Sequence, residues 1–350
     1  MIKIKRLLKV VFLFSIILIF GGCYDYNELN SLDIISGIGL TFNDNEYTVS
    51  YEVINTNLDK DNTDSKKSFV VSGIGKNLSD AIGNANSKLN KKPYFEHIKV
   101  MLIDTNVDIM QISDYLLRSN MISTNFYLAL ADNPLEILEF TSEDKVINSN
   151  YIYDILKNIN YTKMSNYFDF QVSKILNKID IALPKIELDK QIIFKTYGLY
   201  HKSNFVCYLD DANLEMYRYF LKENNFSYSN DKNSINFYSN KMKIDLKNDI
   251  DISFNLKAKV EALDSDYNLR NDDDFKKLES TFNSSLEEEL YKFTTFLQEK
   301  KTDILGINYK HYLKTKNDDE DYFSKTKIKI KVNISINKPG LTVRRVTNEY

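Results

Sequence analysis

Two stretches of the chain alternate strictly between apolar and polar residues, at 250–260 and at 328–336. Successive side chains point to opposite faces of a strand, so this period of two predicts strands with one buried face and one solvent face. Such strands favour antiparallel sheets that helices cover on one side. The sequence therefore predicts an α+β, multi-domain fold with mainly antiparallel sheets covered by helices.

The same reasoning predicts the other elements. The apolar run 34–40 and the alternating run 47–53 flank the acidic turn 43–46, a pattern typical of a β-hairpin. Apolar residues spaced by three and four, Leu286, Leu290, Phe293 and Leu297, mark the core stripe of the longest helix. Further strands are predicted at 98–103, 126–130, 192–200 and 205–209, and further helices at 78–89, 108–118, 134–138, 151–176 and 213–222.

The N-terminus has the layout of an export signal. Residues 1–9 are basic, 10–20 are apolar, and two glycines precede Cys23. The apolar run is shorter than the ~20 residues that cross a bilayer comfortably, and small residues stand where a signal peptidase cuts. A cysteine after two glycines is the lipobox arrangement of bacterial lipoproteins, although Phe20 stands where leucine is usual. We predict a signal peptide at 1–22 and a diacylglycerol thioether on Cys23.

The alternative for this segment is an uncleaved signal-anchor in which the cysteine is incidental. Lipidation would make Cys23 the new N-terminus, and two acyl chains at ~0.8 kcal/mol per buried CH₂ would hold the chain firmly to a bilayer surface. Cys207, the other cysteine, would then have no disulfide partner. Its apolar neighbours favour a small core residue over a reactive thiol.

Composition fits an exported globular chain. Hydrophobic residues make up 43% and charged residues 27%, close to globular averages. Removal of residues 1–22 leaves 42 basic and 49 acidic residues, a net charge of −7. An acidic body binds polyanions poorly, so we expect no nucleic acid partner.

The length after cleavage suggests two or three domains. Pro184 precedes the boundary that the sequence supports best, near residue 190. We predict an N-terminal domain at 24–190, which can split into two subdomains, and a C-terminal domain at 191–346.

Motifs for catalysis or metal binding are missing from the sequence. His97, His201 and His311 are far apart, and neither H-E-x-x-H nor C-x-x-C occurs. We therefore expect no catalytic residue, no metal and no cofactor. A carboxylate pair for glycoside cleavage is spatial and leaves no motif, so a wall-active hydrolase stays as an alternative.

Two glycine pairs and two acidic runs favour structural explanations. Gly37-Ile38-Gly39 and Gly73-Ile74-Gly75 do not complete a dinucleotide loop, and we interpret them as bulges or close backbone approaches. The acidic runs 272–274 and 318–321 fit no EF-hand spacing, and we interpret both as solvated loops beside helix ends.

Several segments, taken in order, resemble the Ger(x)C family of spore germination lipoproteins. Cys23-Tyr24-Asp25 with Glu28-Leu29 and Ile38-Gly39 is similar to the family's opening pattern, with Tyr24 in place of the usual tryptophan. The remaining similar segments are the helix and histidine strand at 75–103, the hairpin and helix at 196–219, the segment 303–312 and the strand that ends at Lys338-Pro339-Gly340-Leu341.

The resemblance implies a non-enzymatic C-subunit of a nutrient germinant receptor, in a family known for three domains. Such a subunit would be held by lipid on the outer face of the spore inner membrane. Its implied partners are a polytopic A-type subunit, a transporter-like B-type subunit and the bilayer itself, through acylated Cys23. The alternatives are a solute-binding lipoprotein of an uptake system and, behind it, the wall-active hydrolase.

Overall fold

The computed structural model describes residues 31–56, 67–118, 125–141, 146–158, 180–230, 232–263, 267 and 271–337. Within these ranges the chain forms two β-sheets with helices packed against them. The predicted signal peptide and Cys23 lie outside the described residues. The elements are, in chain order, β1 (Leu32–Asn43), β2 (Glu46–Ile54), β3 (Ser68–Gly75), α1 (Leu78–Asn86), β4 (Lys92–Tyr94), β5 (Val100–Ile103), α2 (Ile109–Arg118), β6 (Tyr127–Leu130), α3 (Pro134–Glu139), α4 (Asn148–Asn158), β7 (Ile181–Asp189), β8 (Gln191–His201), β9 (Asn204–Tyr208), α5 (Asp211–Phe220), β10 (Phe226–Asn230), β11 (Asn233–Leu246), β12 (Ile250–Ala262), α6 (Asp272–Glu299), α7 (Ile307–Thr315), α8 (Tyr322–Lys325) and β13 (Ile328–Asn337).

The larger sheet is mixed and lies between two pairs of helices. Nine strands of the described chain follow the order β3-β2-β1-β5-β6-β7-β8-β9, with β4 beside β1. Strands β1, β5, β6 and β7 pair in parallel, and the flanking strands pair antiparallel. On β5, Met101 packs in the core under α1 and α2, whereas Leu102 packs under α3 and α4. Both faces of this strand are therefore buried, as parallel strands require.

The first hairpin forms as predicted. Strands β1 and β2 pair antiparallel from Ile35 opposite Val53 to Asn43 opposite Glu46. Asp44 and Asn45 make the turn with φ of 53° and 62°. Asn and Asp tolerate this left-handed conformation better than other side chains, which is why such a turn suits a two-residue hairpin.

The glycine interpretation is confirmed for Gly73 and Gly75, which let α1 lie directly on strand β3. A Cβ atom built on Gly73 would lie 2.1 Å from the backbone nitrogen of Ala85 and 2.3 Å from the carbonyl oxygen of Ala81. One at Gly75 would lie 2.4 Å from the nitrogen of Ala81. Gly37, in the other pair, lies where the register between β1 and β2 shifts, at a bulge or a similar irregularity.

The smaller sheet has the order β10-β11-β12-β13. Helices α5 and α6 pack on its inner face, where Ile252, Phe254 and Leu256 of β12 are buried. The predicted stripe of α6 is confirmed, because Leu286, Leu290, Phe293 and Leu297 are all at most 1% exposed in that core. Strand β13 returns parallel to β12 after the α6 crossover.

The α+β fold with helix-covered sheets is thus confirmed, and the sheets contain parallel as well as antiparallel pairs. Most predicted elements agree with the described ones within a few residues. Helix α1 ends at Asn86, before Leu89. Helix α4 covers 148–158, and the rest of the helix predicted at 151–176 lies outside the described residues.

The region of the predicted boundary is the turn of a hairpin. Lys190, with φ of 55°, joins β7 to β8, and both strands belong to the larger sheet. The larger sheet therefore continues past residue 190 to β9, and only after β9 does the chain enter the helix and strands of the smaller sheet. The division at 24–190 and 191–346 stays a prediction.

Candidate functional site

A buried acid and a partly buried acid, Asp303 and Asp180, join the larger sheet to the C-terminal helices. Asp180 lies directly before β7, and its carboxylate accepts hydrogen bonds from the backbone N–H of Lys202 (3.3 Å) and of Asp303 (2.6 Å). The same carboxylate lies 3.0 Å from Nδ1 of His201, at the end of β8. Asp303 lies between α6 and α7, so one side chain holds together two parts of the fold that are 123 residues apart.

Asp303 itself takes the place of a capping side chain at the start of α7. Its carboxylate accepts from the N–H groups of Ile307 (3.0 Å) and Asn308 (2.7 Å), two of the donors that the first turn of a helix leaves without partners. Asp303 is only 2% exposed. Burial raises its pKa to about 7, against the lowering effect of these two hydrogen bonds. The charge on this acid is therefore sensitive to pH near neutrality.

A second buried acid holds helix α4 against the sheet. Glu52 on β2 is fully buried and accepts from the N–H groups of Asn148 and Ser149, each at 2.8 Å. The hydroxyl of Ser68 donates to the same carboxylate at 2.8 Å. A carboxylate at a helix N-terminus is stabilised by such donors and by the helix dipole, and this favours a buried carboxylate at position 52.

The histidines named from the sequence remain apart. His97 packs against the ring of Tyr94, His311 stacks on Tyr322 at 3.7 Å between ring centroids, and His201 contacts Asp180. No group of three or more histidine, cysteine or acidic side chains in the described ranges is arranged to hold a metal ion.

Cys207 lies on a half-buried strand, and the two acidic runs lie at or before the starts of helices. Cys207 on β9 is half-buried against the core of the smaller sheet, and burial raises its pKa. This disfavours the thiolate that a reactive cysteine needs. The run 272–274 forms the first turn of α6, where acids complement the helix dipole. The run 318–321 precedes the short helix α8.

One exposed edge of each sheet is closed by helix side chains. Along β13, the N–H groups of Val332, Ile334 and Ile336 donate to the side chains of Glu287, Asn283 and Glu279 on α6, at 2.8–2.9 Å. Along β3, Asn84 in the last turn of α1 and Lys88 just after the helix donate to the carbonyl oxygens of Ile74 and Ser72. These acceptor and donor rows are spaced by four residues, and they block strand pairing at two edges where another chain could add.

Among the described residues, a cleft and a small cavity lie against the larger sheet. A cleft of about 320 Å³ lies between the start of β3 at Ser68–Val70 and the segment Leu138–Thr141. A second cavity of about 30 Å³ lies between α1 and α2, is lined by apolar side chains such as Tyr51 and Met101, and holds no more than a water molecule or two. In the part of the chain that is described, no helix is both long enough and apolar enough to span a membrane.

Two regions of the chain match known families of proteins. Residues 25–188 match the family described as the spore germination protein N-terminal domain. Residues 198–340 match the family described as spore germination B3/GerAC like, C-terminal. Together these two matches cover most of the chain.

Individual proteins agree with the family matches. A segment of 120 residues is 31% identical to spore germination protein KC of Bacillus subtilis (strain 168), and the match covers 32% of this chain and 29% of that protein. In fold, the chain resembles the crystal structure of the GerBC protein with a TM-score of 0.52, at 15% identity, over 89% of this chain and 99% of that one. The chain belongs to the Ger(x)C family of spore germination proteins.

Proposed function

We propose that the chain is the lipid-anchored C-subunit of a nutrient germinant receptor, a non-enzymatic component needed for assembly or signalling of the receptor that triggers spore germination. The two family domains carry this proposal, because they match in order at 25–188 and 198–340 and begin two residues after Cys23. Family membership makes the chain a spore germination component of the germinant-receptor type. The anchor, the partners and the role in assembly are the finer parts of the proposal.

The proposed anchor is a diacylglycerol thioether on Cys23, at the outer face of the spore inner membrane. Strand β1 begins at Leu32, close after Cys23 in the sequence. A chain extends by at most ~3.5 Å per residue, so covalent geometry keeps the start of β1 within roughly 30 Å of the acylated residue. The larger sheet would therefore stand directly beside the bilayer.

The proposed partners are the A-type and B-type integral membrane subunits of the receptor. A tethered subunit that assembles with them needs a rigid folded body with surfaces that contact these partners. It needs no catalytic group of its own. Three acids fit this role, because Glu52, Asp180 and Asp303 all accept hydrogen bonds from backbone N–H groups that hold the fold together. None of the three carboxylates lines either of the two cavities described above.

The anchor is tested by substituting each of the two cysteines of the chain in turn. In sporulating cells fed labelled palmitate, Cys23→Ala is expected to lose the label, to leave the membrane fraction and to slow nutrient-triggered germination. Cys207→Ala is the matched control, because this half-buried thiol lies in the folded body, and it is expected to keep all three properties. Normal germination by an unlabelled, soluble Cys23→Ala chain would contradict the proposal.

A further inference from the structure

The outer face of the smaller sheet is polar and rich in lysine. The strict alternation of β12 and β13 turns their apolar residues inward, onto α5 and α6, and leaves the other face to solvent. No helix of the described chain contributes to a core on that outer side. Six exposed lysines from three strands project from it: Lys241, Lys243, Lys257, Lys259, Lys329 and Lys331.

The strand register spreads these lysines evenly over the face. Lys257 lies opposite Ser239 on β11 and Ser335 on β13, and Lys241 lies opposite Asn255. Ser253 separates Lys243 from Lys331, which places those two lysines two strand spacings, or about 10 Å, apart. Since no lysine directly faces another, the face carries many charges without the repulsion of paired cations.

Most of this charge is not neutralised. Lys243 pairs with Asp245 at 2.6 Å and Lys329 with Asp249 at 2.5 Å, both near one end of the sheet. Among the described residues, no ion pair engages the other four lysines of the face, Lys241, Lys257, Lys259 and Lys331. The face is therefore a positive surface on a chain that, from residue 23 onward, carries a net charge of −7.

The chemistry of the face suits lipid headgroups better than a protein partner. Protein interfaces depend on Trp, Tyr and Arg anchors, and lysine is depleted from their centres. The outward positions of β11–β13 hold mainly lysine, asparagine and serine instead, with the acids Asp245 and Asp251 opposite each other at the end of the sheet beside Lys329. The ring of Tyr238 lies under Lys259 at 5.7 Å from Nζ. Lysine is a flexible point charge, which binds a fluid array of phosphates without needing a fixed geometry.

We propose that this lysine face docks on the anionic headgroups of the bilayer to which the chain is tethered. The proposal rests on the proposed anchoring, since the tether keeps the folded body close to a membrane. Docking would fix the orientation of the body, because the lysine face is attracted to anionic lipid while the remaining, acidic surface is repelled.

The test uses the chain from residue 23 onward with Cys23→Ser, which carries no acyl group. Flotation with vesicles of phosphatidylcholine, and of phosphatidylcholine with a third replaced by phosphatidylglycerol, measures binding at low and high salt. We expect binding only to the anionic vesicles, and weaker binding at high salt. The variant Lys241→Glu/Lys257→Glu/Lys331→Glu should bind roughly 100-fold more weakly, from the usual contribution of each lysine near an anionic surface.

A second triple variant, Lys76→Glu/Lys92→Glu/Lys195→Glu, is the matched control. It changes the net charge equally, at exposed lysines outside the smaller sheet, and should lose less than tenfold. Equal losses in both triples, or binding that ignores phosphatidylglycerol, would overturn the proposal. So would a face variant that binds vesicles as the parent does but fails to co-purify with receptor subunits, since the face would then serve a protein. Because the Cys23→Ser chain is never acylated, a failure of the anchor leaves these results unchanged.

Discussion

At the scale of single residues, the buried acids of this chain are held mainly by backbone N–H groups. Glu52 receives two from the start of α4, and Asp303 receives two from the start of α7. Asp180 receives the N–H groups of Lys202 and Asp303. The carboxylates of Glu52 and Asp180 therefore link elements that are distant in the sequence, and that of Asp303 caps the helix that follows it. Each of the three should matter for stability rather than for catalysis.

Asp303 should make stability depend on pH. Its pKa is about 7 in the folded chain and 3.8 in an unfolded one, so between these values the folded state retains a proton that the unfolded state loses. Its contribution to the free energy of unfolding should then be greatest below pH 4, fall as pH rises to 7 by up to ~1.4 kcal/mol per unit, and stay constant above.

Chemical denaturation between pH 5 and pH 8 measures this dependence. Asp303→Asn should flatten the pH profile in that range, whereas Asp44→Asn, at an exposed hairpin turn, should leave it as in the parent. An Asp303→Asn chain with the parental pH slope would show that another group titrates.

Gly73 should tolerate no side chain. Alanine there would place its Cβ against backbone atoms of α1, which cannot move aside like a side chain, so we expect a loss of about 3 kcal/mol or more. Gly83→Ala is the matched control, because no atom lies within 4 Å of its Cβ position and alanine favours the helix by ~1 kcal/mol. Thermal melts of the two variants should shift in opposite directions; a Gly73→Ala chain as stable as the parent would contradict the close approach.

At the scale of elements, helices both cover and seal the sheets. Alternate residues of strand β13 are about 6.6 Å apart along the strand, and every fourth residue of α6 is about 6 Å further along the helix axis. This near match lets Glu279, Asn283 and Glu287 accept in turn from alternate N–H groups of β13. The apolar stripe of α6 thus packs on the sheet while a neighbouring polar row closes its edge.

Opening this edge should expose a pairing site. Glu279→Ala/Glu287→Ala removes two acceptors, so we expect faster amide hydrogen exchange at Val332 and Ile336 and a tendency to dimerise through β13. Glu288→Ala is the matched control on the same helix, since Glu288 is exposed and pairs with Lys292 rather than with β13. Unchanged exchange at both amides in the double variant would show that the edge is protected by other means.

At the scale of the whole molecule, the sequence predicts which face of a strand is buried better than it predicts how the strands pair. Alternation in β12 and β13 correctly indicates one buried and one wet face, because burial depends only on the residues of the strand itself. It does not set strand direction: β13 runs parallel to β12, since α6 crosses between them. Strand β5 is apolar throughout and buried on both faces, which is the pattern of a strand in a parallel sheet. A run of only four residues is too short for this pattern to predict parallel pairing from the sequence.

No motif in the sequence predicts the contacts that join the larger sheet to the C-terminal helices. Asp180, His201 and Asp303 are brought together only by the folded sheet and helices, and none belongs to a spaced motif. Family membership, by contrast, follows from the order of many short segments along the chain. Local patterns thus predict elements and relationship, and long-range contacts decide topology and the acid cluster.

The proposal that the chain is a germinant-receptor subunit is tested most directly by a pull-down from spore inner membranes, with a tagged chain in which Cys23 is intact. We expect two polytopic membrane proteins, of A-type and B-type, to be recovered with it. Recovery of the permease subunits of an uptake system in their place, or of the tagged chain without any membrane partner, would contradict it.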